Sequence, residues 1–399
     1  MRIDKRKSIA KVATAGVLLC VALLYGCATS NLRATGDLGI IIERADGAVQ
    51  IVDTTHRRSL AKISGLGDLS HASAVYSRDA RYVYVFGRDG GLTKIDLLYA
   101  RIEKRIIQAG NAIGGAISQD GKIVAVSNYE PGGVKLFDAV TLDFISEIPA
   151  IDSVGKRSKV VGLGDAPGNR FVFSLFDAGE IWVADARNPR QPIVHKYLNV
   201  GRQPYDGTVT RDGRHYVAGL FGEDGLALLD LWNESAGVKR VVAGYGKGSQ
   251  PLPVYKMPHL DNWAMSQTSA YVPAVGRHEV IVIDTGSWLE KAHIPVAGQP
   301  VFVVARPDGR HIWVNYAPPH NDTVQVIDAL THQIIQTLHP GKAILHMEFT
   351  PRGEQVWLSV RDDDRVDVYD TETFQRIASI PSAKPSGIFF TYRAHRIGL

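Results

Sequence analysis

Histidine, arginine and tyrosine recur at the short connections that flank the apolar runs of this chain, and these are the side chains able to do chemistry. His71, His259 and His346 stand just ahead of such runs, in Leu69-Ser70-His71, Met257-Pro258-His259 and Leu345-His346. Tyr205, in Gln203-Pro204-Tyr205-Asp206, has the same relative place. Arg44, Arg88, Asn128, Tyr129 and Arg277 come in a second set of connections, one run further on. A neutral imidazole can coordinate iron or move a proton near neutral pH. A guanidinium holds a carboxylate through two parallel bonds, and aromatic rings supply flat apolar walls. Together they suit a large planar ligand carrying several carboxylates, and a tetrapyrrole has all three needs. Each residue alone has a plainer reading: a loop histidine is commonly solvated, and Arg44 and Arg88 each stand close to an aspartate in a turn.

Positioning such groups requires a regular scaffold, and the chain has one. Eight apolar strands close on an aspartate, at Asp53, Asp96, Asp138, Asp185, Asp230, Asp284, Asp328 and Asp370. The spacings of 43, 42, 47, 45, 54, 44 and 42 residues match the ~40–50-residue period of a propeller blade. Upstream of five of these aspartates lies a turn followed by a β-rich run, as in SQDGKIVAVSN and TRDGRHYVAGL. Alternation there, with Gly or Asp-Gly at the turn, reads as hairpin strands. A polar turn and an outer strand follow each aspartate, so the expected fold is all-β, an eight-bladed propeller with four-stranded blades. The first unit, from GDLGIII at residues 36–42, lacks an inner strand, and the C-terminal SGIFFTYR at residues 386–393 fits that vacancy. Ring closure of this kind removes an exposed strand edge. In such blades the connection into the inner strand and the loop between the second and third strands emerge on one face, where function concentrates.

Residues 1–26 read as a leader: Arg2, Lys5, Arg6 and Lys7 precede an apolar stretch from Val12 to Tyr25 that is too short to span a bilayer. Leu24-Tyr25-Gly26-Cys27 looks like a bacterial lipobox, which makes Cys27 the acylated first residue of an envelope lipoprotein anchored to a membrane by lipid alone. Ordinary signal cleavage with a free Cys27 is the alternative. Residues 27–35 are then a linker and 36–399 the propeller. Past the leader the chain has 40 basic and 40 acidic residues, which gives no footing for nucleic acid. Cys20 and Cys27 are the only cysteines, so a disulfide in the mature domain, a thiolate metal site and CxxCH haem attachment are excluded. Gly162-Leu163-Gly164 and the Gly244–Gly248 segment do not join a strand to a helix, and no nucleotide cofactor is expected. No HExxH, GxSxG or P-loop occurs.

The stretch LGDLSHASAVYSRDARYVYVFGRDGGLTKIDL, Leu66 to Leu97, resembles the haem d1 domain of cytochrome cd1 nitrite reductases. The likeness continues through TRDGRHYVAG and VWLSVRDDD to the C-terminal TYR, over residues 36–395. In that family a histidine before the inner strand of an early blade is the axial ligand of haem d1, and the resemblance places it at His71. The two distal histidines that protonate nitrite in the reductases align loosely with Tyr205 and His259, and Tyr205 is a departure that argues against nitrite reduction. A single propeller behind a bacterial leader is similar to the haem d1 biosynthesis branch of the family. What that implies is a periplasmic step on a haem d1 precursor, an iron tetrapyrrole, with side-chain dehydrogenation as the usual proposal for the family. Cytochrome cd1 nitrite reductase and dihydro-haem d1 dehydrogenase are the implied partners. On that reading His71 is the metal ligand, Arg44, Arg88, Arg277, Asn128, Tyr129 and His346 line the tetrapyrrole, and His259 and Tyr205 face its open side. A carrier without catalysis and a generic YVTN-type surface propeller stand as alternatives.

Overall fold

The repeated aspartate has a local cause. In seven of the eight repeats its Oδ1 accepts the backbone N–H groups two and three residues further on, as Asp328 does from Leu330 and Thr331, at 3.0 and 2.8 Å. In the remaining repeat Asp185 accepts from Arg187 alone. Such an Asx turn satisfies backbone donors where the third strand stops and reverses the chain into the fourth. The upstream turns use a second device: Ser77, Ser118 and Thr210 donate a hydroxyl to the aspartate two residues on.

The computed structural model describes residues 35–244, 246, 264–266, 268–274 and 276–398. They form eight four-stranded antiparallel sheets arranged as a ring, an eight-bladed β-propeller. The inner strands of blades 2 to 8 are Ser73–Tyr76, Asn111–Ile117, Val160–Ala166, Pro204–Val209, Ala264–Ser266, Pro300–Ala305 and Ile344–Phe349. Blade 1 takes its inner strand from the C-terminus: Pro385–Phe390 pairs antiparallel with Leu38–Glu43, in the register Gly39 with Phe390 and Ile41 with Ile388. The leader, with Cys20 and Cys27, lies outside the described residues, and so does Met257-Pro258-His259. Among the described residues no helix is long and apolar enough to cross a membrane.

Eight apolar clusters hold the ring, one in each wedge between neighbouring blades. The cluster that joins blade 8 to blade 1 sets Trp357, Val366 and Val368 against Ile41, Ile388 and Phe390, so closure buries a core as well as pairing an edge. The second and third strands are buried on both faces because each lies between two sheets; Ala48–Asp53 and Gly91–Asp96 are buried throughout. The expected alternation therefore fails there and survives in outer strands such as Arg58–Ser64. One hydrogen bond repeats around the ring and fixes the functional face. The second-to-third-strand loop donates a backbone N–H to the connection leading into the inner strand: Arg88 to Asp68, Phe221 to Gln203, Ala317 to Gln299 and Arg361 to Ala343, at 2.8–3.2 Å.

Candidate functional site

That stitched face opens into a cavity of about 280 Å³ along the ring axis. Blades 1, 2, 3, 4, 5, 7 and 8 contribute to its lining, with Arg44, His71, Tyr205, Phe302, His346 and Arg393 among the side chains. Much of the remaining wall is glycine: Gly114, Gly162, Gly207 and Gly387. A Cβ on Gly162 would come within 2.6 Å of the Gly207 nitrogen, and one on Gly207 within 2.2 Å of the Tyr216 hydroxyl. The Gly162-Leu163-Gly164 sequence thus serves close approach of neighbouring inner strands around a narrow axis, with Tyr216 donating to the Gly162 carbonyl at 2.8 Å.

His71 sits on a braced loop. Asp68 accepts the Ser70 N–H at 2.8 Å, Arg88 binds the Asp68 carbonyl through its own backbone, and the Arg44 guanidinium donates to the Ser70 carbonyl. The Asp68 carboxyl is held below its ordinary range, chiefly by its bonds to Ser70. His346 is buried between Phe302 and Phe389, at ring separations of 5.5 and 5.3 Å. Its Nδ1 accepts the Ile388 N–H at 3.2 Å, which leaves the proton of the neutral ring on Nε2. Burial depresses the Arg44 pKa, and the Arg361 and Arg88 cations lower it further against the opposing pull of Asp68. Three arginines from blades 8, 1 and 2 therefore act on one spot at the mouth, a setting that favours an incoming anion.

The facing side is aromatic. Tyr129 of blade 3 donates to the Tyr205 hydroxyl at 3.3 Å. Phe176 of blade 4 and Phe221 of blade 5 stand 5.9 and 6.5 Å from the Tyr205 ring and 6.1 Å from each other. Burial, and then Tyr129, push the Tyr205 phenol far above its ordinary value, so it stays protonated as a hydrogen-bonding group on an apolar wall. In a ring of eight, blades 4 and 5 lie opposite blades 8 and 1, while blade 3 adjoins blade 2, and Arg88 acts on both tyrosines.

The fold thus brings together His71, His346, Arg44 and Tyr205 around the cavity, with Arg88 and Tyr129 at its rim. Asn128 does not join them: it is fully buried in blade 3, where its amide exchanges bonds with Gln108 at 2.8 and 3.2 Å. Arg277 stands exposed on a blade 6 turn, away from the residues that line the cavity. His259 and Cys27 lie outside the described residues. Two residues escaped the sequence reading. Phe176 occupies in blade 4 the loop position that Arg88 has in blade 2, so the repeat register points to it. Arg393 follows the closing strand, lines the cavity, and donates Nε and Nη2 to the two Glu348 oxygens at 2.8 Å each. No local signal marks it.

An eight-bladed ring with imidazole, guanidinium and aromatic groups around one axial mouth defines a propeller suited to a metal macrocycle. Consistent with this, residues 33–394 match the model of the cytochrome D1 heme domain, and the chain belongs to that family. Within it, the chain is similar to Protein NirF of Pseudomonas aeruginosa, 60% identical over 384 residues, which is 96% of this chain and 98% of that protein. Protein NirF of Stutzerimonas stutzeri is 56% identical, again over 96% of this chain and 98% of the relative. Among solved structures, dihydro-heme d1 dehydrogenase NirN in complex with DHE superposes with a TM-score of 0.79 at 27% identity, covering 90% of this chain and 76% of that one.

Proposed function

We propose that this chain works in haem d1 biosynthesis by binding an iron tetrapyrrole precursor in the channel mouth at a late maturation step. One observation carries this reading: in a chain that matches the cytochrome D1 heme domain, a single axial cavity gathers His71, His346 and Arg44 on one side and the Tyr205 wall on the other. The donor set fits such a substrate. His71, on its braced loop, offers an imidazole to the iron; Arg44 and Arg88 hold carboxylates; Phe176, Tyr205 and Phe221 supply the apolar wall that a macrocycle edge needs. Tyr129 and Tyr205 reach peripheral oxygens as hydrogen-bond groups.

The reaction on this reading is side-chain dehydrogenation. Two C–H bonds at the substrate periphery break and one C=C bond forms, and an external electron acceptor takes the two electrons while two protons pass to solvent. A carrier role without turnover is the second reading, and one feature favours it: burial raises the Tyr205 pKa, which ill suits the phenol to serve as a base. Cys27 anchors the chain by lipid on the periplasmic side, and cytochrome cd1 nitrite reductase and the dihydro-haem d1 dehydrogenase are its partners.

Titrating the purified protein with precursor should give a histidine-ligated absorption spectrum that is lost in His71→Ala. An unchanged spectrum in that variant removes His71 as the ligand. Mass spectrometry of the precursor after incubation with an electron acceptor separates the two readings, because a product two hydrogens lighter requires turnover. Palmitate labelling that survives Cys27→Ala would overturn the anchor.

A further inference from the structure

On the face opposite the mouth, the C-terminal tail packs across the ring. Beyond the closing strand, Thr391 donates to the Leu38 carbonyl at 2.9 Å, the Ala394 carbonyl accepts from Arg78 at 2.9 Å, and the Gly398 N–H reaches Asp165 of blade 4 at 2.8 Å. Between this tail and blades 5, 7 and 8 lies a cavity of about 340 Å³, lined by Arg211, Glu348, Tyr392, His395 and Arg396 among others.

The repeat supplies an internal control for what that cavity lacks. Arg78 in blade 2 and Arg211 in blade 5 occupy the same turn position, in Ser77-Arg78-Asp79 and Thr210-Arg211-Asp212. Arg78 is satisfied from within the fold: it pairs with Asp165 at 3.0 Å and donates to the carbonyls of Ile117 and Ser118. Arg211 lines the cavity instead; burial and the Arg396 cation both lower its pKa, against the opposing pull of the Tyr392 hydroxyl. Neighbouring arginines on this face are neutralised, Arg81 by Asp96, Arg214 by Asp230 and Arg306 by Glu372, at 2.6–2.8 Å. Glu348 adds no net negative charge, because Arg393 engages both of its oxygens.

We propose that the floor cavity is a second binding site, separate from the channel mouth, which takes a small oxyanion of carboxylate or phosphate chemistry between Arg211 and Arg396. The bound anion does for Arg211 what the Asp165 carboxylate does for Arg78. Because Arg396 belongs to the tail, the anion also ties the tail to blade 5.

Isothermal titration of the purified protein with inorganic phosphate, and separately with malonate, tests the site. Saturable one-to-one binding is expected for at least one anion, weakened tenfold or more by Arg211→Gln and by Arg396→Gln and unchanged by Arg44→Gln at the other mouth. The ratio of the two affinities assigns phosphate or dicarboxylate chemistry. Arg211→Gln should melt with the parent when no anion is present, and Arg396→Gln, which gives up the Tyr392 ring contact at 6.0 Å and an interaction with Glu348, slightly below it. Absence of saturable heat with both anions overturns the proposal, as does weakening by Arg44→Gln in place of the floor substitutions.

Discussion

Arg44 shows how much a single side chain is asked to do at the mouth. It braces the loop that carries His71 through the Ser70 carbonyl, and it keeps a cation where burial and two neighbouring arginines oppose one. Such a charge is relieved when an anion arrives, so Arg44→Gln should weaken precursor binding about tenfold, roughly 1.4 kcal/mol, with a smaller salt dependence than the parent in spectral titrations. Arg44→Lys should not restore it, since an ammonium cannot reproduce the planar fork. Tyr205 makes the complementary case. With its phenol held protonated, Tyr205 should add no step of its own to the pH dependence of binding through neutrality and into the alkaline range. Tyr205→Phe should keep the wall and lose the hydroxyl's bonds to Tyr129 and to the substrate periphery, a shift of about 0.5–1.5 kcal/mol in binding. A pH-dependent break in affinity that vanishes in Tyr205→Phe would contradict this assignment.

At the scale of the element, the repeated aspartate is a turn device, and its chemistry makes the blades acid-sensitive together. Asp185, Asp230, Asp284, Asp328 and Asp370 are all held below the ordinary carboxylate value of 3.8, by bonds from arginine or lysine or from turn N–H groups. A carboxylate whose folded pKa is depressed supports the fold fully above its unfolded pKa, and that support is lost as pH falls through the folded value. The aspartate contribution to the melting temperature should therefore be level above about pH 5 and drop steeply below about pH 4. Asp328→Ala, which strips acceptors from Leu330, Thr331 and the Thr331 hydroxyl, should cost about 1–2 kcal/mol in urea unfolding and flatten part of that acid limb. A variant with the parent's urea midpoint would show that the turn closes without the carboxylate.

For the whole molecule, closure and site are one structure. The C-terminal strand that completes blade 1 also donates Ile388 N–H to His346, and the residues just after it hold Glu348 through Arg393. Truncation before Pro385 should abolish a single cooperative transition and precursor binding together, because it opens the wedge between blades 8 and 1. Glu348→Gln leaves the buried Arg393 guanidinium without its counter-ion and should cost about 3–5 kcal/mol. Glu348→Gln combined with Arg393→Met should cost less than Glu348→Gln alone, measured as a double-mutant cycle. Full additivity in that cycle would mean the pair is not coupled.

Much of this architecture could be read from the chain alone, since blade number depends on a period, and a period is a local property. Eight aspartates at near-even spacing, each ending a strand and capping the turn that follows, specify eight units. The missing first strand and the surplus last one specify how the ring shuts. The face that carries function follows as well, because strand order within a blade decides which loops emerge together. Membership of the mouth is a different matter. His71 and His346 are 275 residues apart in sequence and line one cavity only because closure sets blade 8 near blade 2. Asn128 and Tyr129 are neighbours, yet strand pleating sends one amide into the blade and the other ring to the rim. Phe176 is marked only by its register in the repeat, and Arg393 by nothing local; radial packing around the axis selects them, and radial position is a sum over every blade in the ring.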